Sequence, residues 1–217
     1  MNARPLAVAA ALLIAATALT SCTPKAGAAA IVDKTRISTT EVGKYVTRSG
    51  PTPEAVAQAA QQQQQLQPKT TVVTYLVQQI LFTRALAATR DGMPSEAVLN
   101  QLHDRAAQTL LGSSLTGAEL DQYLSKNVGS SGFTDKFPAL VLRTVELEQA
   151  LIDRLKASSI DELSNAVQKT GVHVAVNPRY GIWSVAHLDV EDPGGAVPSF
   201  LTLVPAETTV PSTPAAG

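Results

Sequence analysis

The chain has very little cysteine, few aromatic residues and almost no net charge. Its one cysteine, Cys22, leaves no second thiol for a disulfide or a cysteine-rich metal site. Lys and Arg number 17 and Asp and Glu 18, and this near-balance gives no electrostatic reason to expect nucleic acid as a partner. Aromatic residues make up only 4% of the chain, so the core must consist of Leu, Val, Ile and Ala, which favours helices.

The common catalytic and metal-binding motifs are also missing from the sequence. No HExxH, GxSxG, CxxC or P-loop pattern occurs. The histidines are His103, His173 and His187. His187 is followed by three carboxylates, at Asp189, Glu191 and Asp192. A metal site from this group is the alternative to a solvated loop, and we favour the loop. We therefore expect no enzyme, no cofactor and no bound metal.

The amino terminus has the organisation of a bacterial lipoprotein precursor. Arg4 is followed by an apolar run over residues 6–19, which is too short to span a bilayer but has the length of a signal-peptide core. The sequence Leu19-Thr20-Ser21-Cys22 resembles the lipobox, in which the thiol receives diacylglycerol and the chain is cut before the cysteine. We predict a signal peptide over 1–21 and a lipid anchor at Cys22, with palmitate-type acyl chains on the outer face of the cytoplasmic membrane. An ordinary signal peptide with a chance cysteine is the alternative.

Composition divides the rest of the chain into three parts. Residues 22–29 are small and polar and predict a tether, which at about 3.5 Å per residue keeps the next segment within about 25 Å of the membrane. Residues 30–186 carry the periodic apolar patterns of one folded domain. Residues 187–217 are rich in Pro, Thr, Ser, Gly and Ala, and we predict a disordered tail.

Capping residues and a 3.6-residue apolar period predict a series of helices in the domain. Ser38 with Glu41 forms a capping box for a helix ending near Thr47. Pro53 begins a second helix to Leu66. This helix includes a polyglutamine run interpreted as a solvated face or flexible bridge, with an aggregation or binding role as the alternative. Further helices are predicted over residues 69–90, from 94 up to Gly112, 116–126, 134–156 and 160–169. The helix over 134–156 has the widest apolar face, so we expect it at the centre of the core.

Two short β segments lie near the two ends of the domain. A strand at Ile31 is followed by a turn at Asp33-Lys34, and valines alternate from Val172 to Val176. We predict that these segments pair, which makes the fold mainly α with a small two-stranded ribbon joining the first and last segments. Tyr180 and Trp183 follow the second segment. They are interpreted as packing over the end of the ribbon, with an exposed aromatic partner-binding patch rimmed by Arg179 as the alternative.

The opening and closing segments resemble one family. Ile31-Val32-Asp33, then Ile37-Ser38 and Glu41, resembles the start of the SurA-type N-terminal domain, found in PrsA/SurA-like periplasmic chaperones and foldase lipoproteins. The segment 177–181 with Trp183 resembles the closing strand of actinobacterial lipoproteins of this group. Too few residues separate the last long helix from this strand for the parvulin-type isomerase domain of such foldases. The resemblance therefore implies polypeptide binding without isomerase activity.

Two functions fit these expectations. The first is a chaperone-like lipoprotein of the cell envelope that binds unfolded or extended polypeptides. The second is a non-enzymatic adaptor or assembly subunit that binds one folded envelope protein. The two differ in the surface that they require: a chaperone needs a broad apolar groove lined by Leu, Val and Met, whereas an adaptor needs a smaller patch with a charged rim.

Overall fold

A computed structural model describes residues 26–62, 65–111, 122 and 128–191. These residues form a largely helical body with small antiparallel sheets. The signal peptide, Cys22, most of the predicted helix over 116–126 and the tail after residue 191 lie outside the described residues. The strands are β1 (Ala28–Val32), β2 (Thr35–Ser38), β3 (Val174–Val176), β4 (Ile182–Ser184) and β5 (Asp189–Glu191). The helices are α1 (Thr39–Val42), α2 (Pro53–Gln61), α3 (Pro68–Ala88), α4 (Glu96–Leu111), α5 (Phe137–Leu155) and α6 (Ile160–Lys169).

The two predicted β segments pair, but in a larger arrangement than a ribbon. β1 is the middle strand of a three-stranded antiparallel sheet with the order β2-β1-β3, in which Ile31 lies opposite Ala175. The prediction of a two-stranded ribbon is wrong because the chain after Asp33-Lys34 returns along β1 as a third strand. β3 is also not the last strand, since the chain continues into a separate β4–β5 hairpin.

Asp33 joins the β1–β2 turn to two distant elements. It adopts a left-handed φ of 52°, which aspartate tolerates better than most residues. Its carboxylate accepts a 2.8 Å hydrogen bond from the His173 backbone N–H just before β3, and it forms an ion pair with Arg84 of α3. The hydrogen bond from His173 and the charge of Arg84 lower the pKa of Asp33. The contacts of ionised Asp33 with His173 and Arg84 therefore stabilise the folded state at neutral pH. This stabilisation is lost as the pH falls through the lowered pKa of Asp33.

α3 and α5 form the centre of the core. α3 is apolar around most of its circumference because it packs against α5, α6, β1 and β5. It is long and apolar enough to cross a membrane, yet half of its most apolar window is buried inside the body, as expected of a core helix. α5 buries Leu147 and Leu151 almost completely, which confirms its predicted central position.

The helix limits follow the local capping residues. α6 spans the predicted residues, and the Ser159 hydroxyl at its start accepts from the Glu162 N–H at 3.3 Å. The Ser38 hydroxyl likewise caps α1, but the prediction that α1 extends to Thr47 is wrong because the helix ends at Gly43. A turn over residues 43–45 follows, and Val46 then forms a β-bridge with Phe133. α2 ends at Gln61, five residues before its predicted end at Leu66, and the Gln61–Gln65 run begins there.

Both predicted boundaries of the domain are displaced. The tether was predicted to extend to residue 29, but Ala28 and Ala29 belong to β1 and are 0% exposed. The tail was predicted from residue 187, but Leu188 and Val190 are buried in the β4–β5 hairpin. The folded body therefore starts two residues earlier and extends at least five residues further than composition indicated.

Candidate functional site

The three residues predicted to bind a partner are close in the chain but differ in exposure: Arg179 and Tyr180 lie on the turn after β3, and Trp183 lies on β4. Tyr180 is only 6% exposed, and Trp183 is partly buried against the core. The Arg179 guanidinium lies 4.7 Å from the centre of the Tyr180 ring and donates a 2.6 Å hydrogen bond to its hydroxyl. The two aromatic side chains thus pack inward, as in the first interpretation, and Arg179 covers the Tyr180 ring. Their partner-binding role stays a prediction.

A polar network on α4 and α5 was missed in the sequence. His103 Nδ1 lies 2.8 Å from Glu146 Oε1, and Arg143 donates to both Glu146 at 3.2 Å and Glu96 at 2.6 Å. Glu146 is only 6% exposed, so this network supplies the hydrogen bonds that a buried carboxylate requires. The Arg143–Glu146 contact can be predicted from the sequence, because residues at i and i+3 lie on the same face of a helix. The partner helix α4 is 43 residues away and cannot be inferred from spacing.

His187 belongs to a small polar group on the surface of the β4–β5 hairpin. Its Nδ1 contacts the Glu191 carboxylate, and Glu191 also accepts a hydrogen bond from Ser184. The Glu191 carboxylate therefore lies between the His187 imidazole and the Ser184 hydroxyl as their common partner. Activation of a serine nucleophile requires the imidazole to contact the hydroxyl directly. Within the described ranges, no group of three or more His, Cys, Asp and Glu side chains is arranged to hold a metal ion. His173 is exposed.

An open groove lies between the C-terminal halves of α3 and α5 and the exposed side of α6. We call it the α6 groove, and its volume is about 760 Å³. Its floor contains alanines of α3 and α6 and leucines of α5, and charged side chains surround that floor. The lining residues are Ala85, Ala88, Thr89, Arg90, Asp91, Leu151, Arg154, Leu155, Glu162, Asn165, Ala166, Lys169 and Thr170.

A second groove lies on another side of α3. We call it the Met93 groove; its volume is about 370 Å³, and Ile80 and Leu147 line it. Met93 itself is 40% exposed, and a flexible thioether of this kind adapts to differently shaped apolar partners. Arg84 and Arg143 also line the groove, and both are already paired with carboxylates, so they add little unsatisfied charge. The lining is completed by Thr35, Gln79 and Thr83.

A third, polar cavity of about 490 Å³ lies between α3, α5 and the β4–β5 hairpin. Glu148 lines it, and no described residue forms an ion pair with this carboxylate. Burial raises the pKa of Glu148, and burial together with the charges of Glu148 and Asp189 raises the pKa of the Tyr75 phenol. Thr74 donates to Asp189 at 2.7 Å and accepts from the Val190 N–H, which fixes the hairpin on α3. The hairpin therefore forms one wall of this cavity.

Replacing Glu148 with glutamine is expected to stabilise the protein at neutral pH. Burial raises the pKa of Glu148 in the folded state. Below the ordinary pKa of glutamate the carboxyl is protonated and its contribution to stability is fully present, and that contribution is lost as the pH rises through the raised pKa. Glu148→Gln cannot ionise and escapes that loss. The melting temperature should rise at pH 7 and converge with that of the wild type near pH 4, as followed by circular dichroism. Glu54→Gln, on the exposed first turn of α2, is the control. An unchanged or lower melting temperature for Glu148→Gln at pH 7 would contradict the assignment.

Comparisons with known proteins add no relative. No family model, curated protein or solved structure matches the chain. The function must therefore be argued from the grooves themselves.

Proposed function

We propose that this chain is a lipid-anchored, non-enzymatic protein of the cell envelope that binds polypeptide segments in a chaperone-like manner. Signal peptide 1–21 would be removed, Cys22 acylated, and the folded body held at the outer face of the cytoplasmic membrane. We also propose that the folded body is a SurA-type N-terminal domain, because the segments around Val32 and Tyr180 resemble the opening and closing segments of that family.

The observation that carries this proposal is the Met93 groove. A general binder of unfolded chains needs accessible apolar surface that adapts to many side chains. Met93 supplies exposed apolar surface in an open groove, with the partly buried Ile80 beside it and the almost fully buried Leu147 at its base. The arginines of its rim are neutralised by carboxylates, so the groove selects for apolar character rather than for charge.

The adaptor function is the second candidate, and the α6 groove favours it. Its rim carries Arg90, Asp91, Glu162 and Lys169 around a floor of Ala and Leu. Charges arranged around a small apolar patch favour one complementary partner over many unrelated chains. An adaptor would form a stoichiometric complex with a single envelope protein.

Suppression of aggregation separates these functions. The chain beginning at Thr23, checked for helical content by circular dichroism, is mixed with a chemically unfolded client during dilution from denaturant. We expect light scattering to fall to about half or less at equimolar ratio. Met93→Glu places a charge in the groove and should remove most of this effect, because desolvating an unpaired charge opposes apolar binding.

Val98→Glu is the matched control, since Val98 is 44% exposed and lies outside the residues lining the Met93 groove. It should suppress aggregation as well as the wild type does. If the wild type suppresses no client but retains one envelope protein at equal stoichiometry in affinity capture, the adaptor function replaces the chaperone-like one.

A further inference from the structure

We infer that the α6 groove binds an extended polypeptide segment in which a short aliphatic core is flanked by Asp or Glu. This inference rests on the proposed polypeptide-binding function and adds the chemistry of the bound segment. It concerns a different groove from the one that carries the general proposal, so the two can be tested separately.

The floor of the groove has the shape for aliphatic side chains. Ala88 and Ala166 present only methyl groups at its surface, which leaves depth for a side chain of the ligand. Leu155 is 39% exposed beside them and offers apolar contact. Burial of a Val or Leu side chain on such a floor is favourable because it removes apolar area from water.

The charges around the floor are unbalanced once internal pairs are counted. Arg154 donates to the Gly92 carbonyl at 2.7 Å and lies 3.8 Å from Asp91. Glu162 accepts from the Ser158 N–H at 2.5 Å and from the Ser158 hydroxyl at 3.3 Å. Asp91 is thus paired with Arg154, whereas Glu162 is hydrogen-bonded to uncharged donors and keeps its negative charge.

Arg90 and Lys169 remain available to a ligand. Both are exposed, and neither pairs with an acid among the residues that the structure describes. One lies after the end of α3 and the other in the last turn of α6, so they approach the groove from separate elements. The rim therefore offers two unpaired bases against one unpaired acid, Glu162, and this net positive charge favours acidic flanking residues in the ligand.

The helix ends near the groove do not cancel this preference. The C-terminal ends of α3 and α6 carry a partial negative charge that would oppose a carboxylate. Their carbonyls are already hydrogen-bonded: Leu86 accepts from the Thr89 hydroxyl at 2.6 Å, and Val167 accepts from the Thr170 hydroxyl at 2.6 Å. The partial negative charges of these hydrogen-bonded carbonyls repel a carboxylate less strongly than the full positive charges of Arg90 and Lys169 attract it.

The test uses the mature lipidated chain in nanodiscs of zwitterionic lipid, with peptides carrying an uncharged fluorophore. Three peptides share a Val-Ala-Leu core and are flanked by Asp, Asn or Lys. We expect anisotropy to give the lowest Kd for the Asp-flanked peptide. The double variant Arg90→Gln, Lys169→Gln should weaken that peptide about fivefold, and 500 mM salt should weaken it similarly, because exposed ion pairs are modest and screened.

Two further variants make the test specific. Lys44→Gln with Arg48→Gln removes two exposed bases outside the groove and should leave all three Kd values unchanged. Lys169→Glu should shift preference toward the Lys-flanked peptide. Equal binding of the three peptides, or tighter binding of the Asn- or Lys-flanked one by the wild type, overturns this inference and leaves the proposed function standing. If no peptide binds but the protein still suppresses aggregation, the inference alone is overturned. If the protein neither binds a peptide nor suppresses aggregation, the inference and the proposed function are both overturned.

Discussion

Replacing Cys22 with serine is expected to leave the chain without acyl chains. Serine keeps the size of the side chain but not the thiol nucleophile that accepts diacylglycerol. The mature wild type should begin at Cys22 and carry two or three acyl chains, which hold a protein at a bilayer where one chain does so only marginally. Intact mass spectrometry should show these acyl masses on the wild type, and the variant should retain residues 1–21 without them.

The retained signal peptide can itself hold the variant at the membrane, so fractionation needs a second chain. A chain exported with a cleavable, cysteine-free signal peptide and beginning at Thr23 should be recovered in the soluble fraction. The same chain with Cys22 and its lipobox restored should partition into detergent. Mass spectrometry that finds a free thiol on mature Cys22 would contradict the anchor and the localisation that depends on it.

Replacing Gly181 with alanine is expected to disrupt the β4–β5 hairpin. Gly181 has a φ of +125°, and an added Cβ would lie 2.4 Å from the Glu191 carbonyl oxygen and 2.8 Å from Val190 Cγ1. The nearest obstacle is backbone, which cannot rotate away as a side chain could. We expect a loss of about 3 kcal/mol or more in the free energy of unfolding. For a chain of this size that lowers the melting temperature by roughly 10 °C.

Gly171 supplies the matched control for this substitution. It also has a positive φ, of +68°, but nothing lies within 4 Å of an added Cβ. Gly171→Ala should therefore cost only the conformational penalty, about 1–2 kcal/mol. Amide hydrogen exchange should show faster exchange at Val190 in Gly181→Ala and no such change in Gly171→Ala. Equal stability of the two variants would show that the hairpin does not pack as described.

Local sequence patterns predicted those parts of the fold that depend on neighbouring residues. The limits of α6 follow from Ser159 and Glu162, which lie three residues apart. The turn at Asp33-Lys34 was also predicted, although its ion pair with Arg84 was not, because Arg84 lies 51 residues further along the chain. The extent of α1 was overestimated because Gly43 was not recognised as its end.

The β4–β5 hairpin shows a pattern that was present but overlooked. Residues 187–191 alternate between exposed and buried, with Leu188 and Val190 inside. This period of two is the mark of a strand, but it lasts only five residues and stands next to a Pro- and Gly-rich segment. Composition averaged over the longer stretch concealed it.

The grooves could not be predicted from the sequence. Leu155 and Lys169 come from two separate helices and Arg90 from the turn after α3, and they share one groove only because α3, α5 and α6 pack together. Each of them alone resembles any solvated side chain. The apolar periodicity predicted helices that pack against one another, but only the angles at which they pack determine which charged side chains meet in a groove.

The start of β1 has a mechanical consequence. Because Ala28 is already fully buried in the middle strand of the sheet, only residues 22–27 separate an acylated Cys22 from the folded body, a reach of about 20 Å. Any tension between the bilayer and the body would act directly on a strand bonded on both sides, by β2 and by β3. The lipid would thus pull on one of the most firmly held segments of the molecule, and the body would stay close to the headgroups with little freedom to turn away.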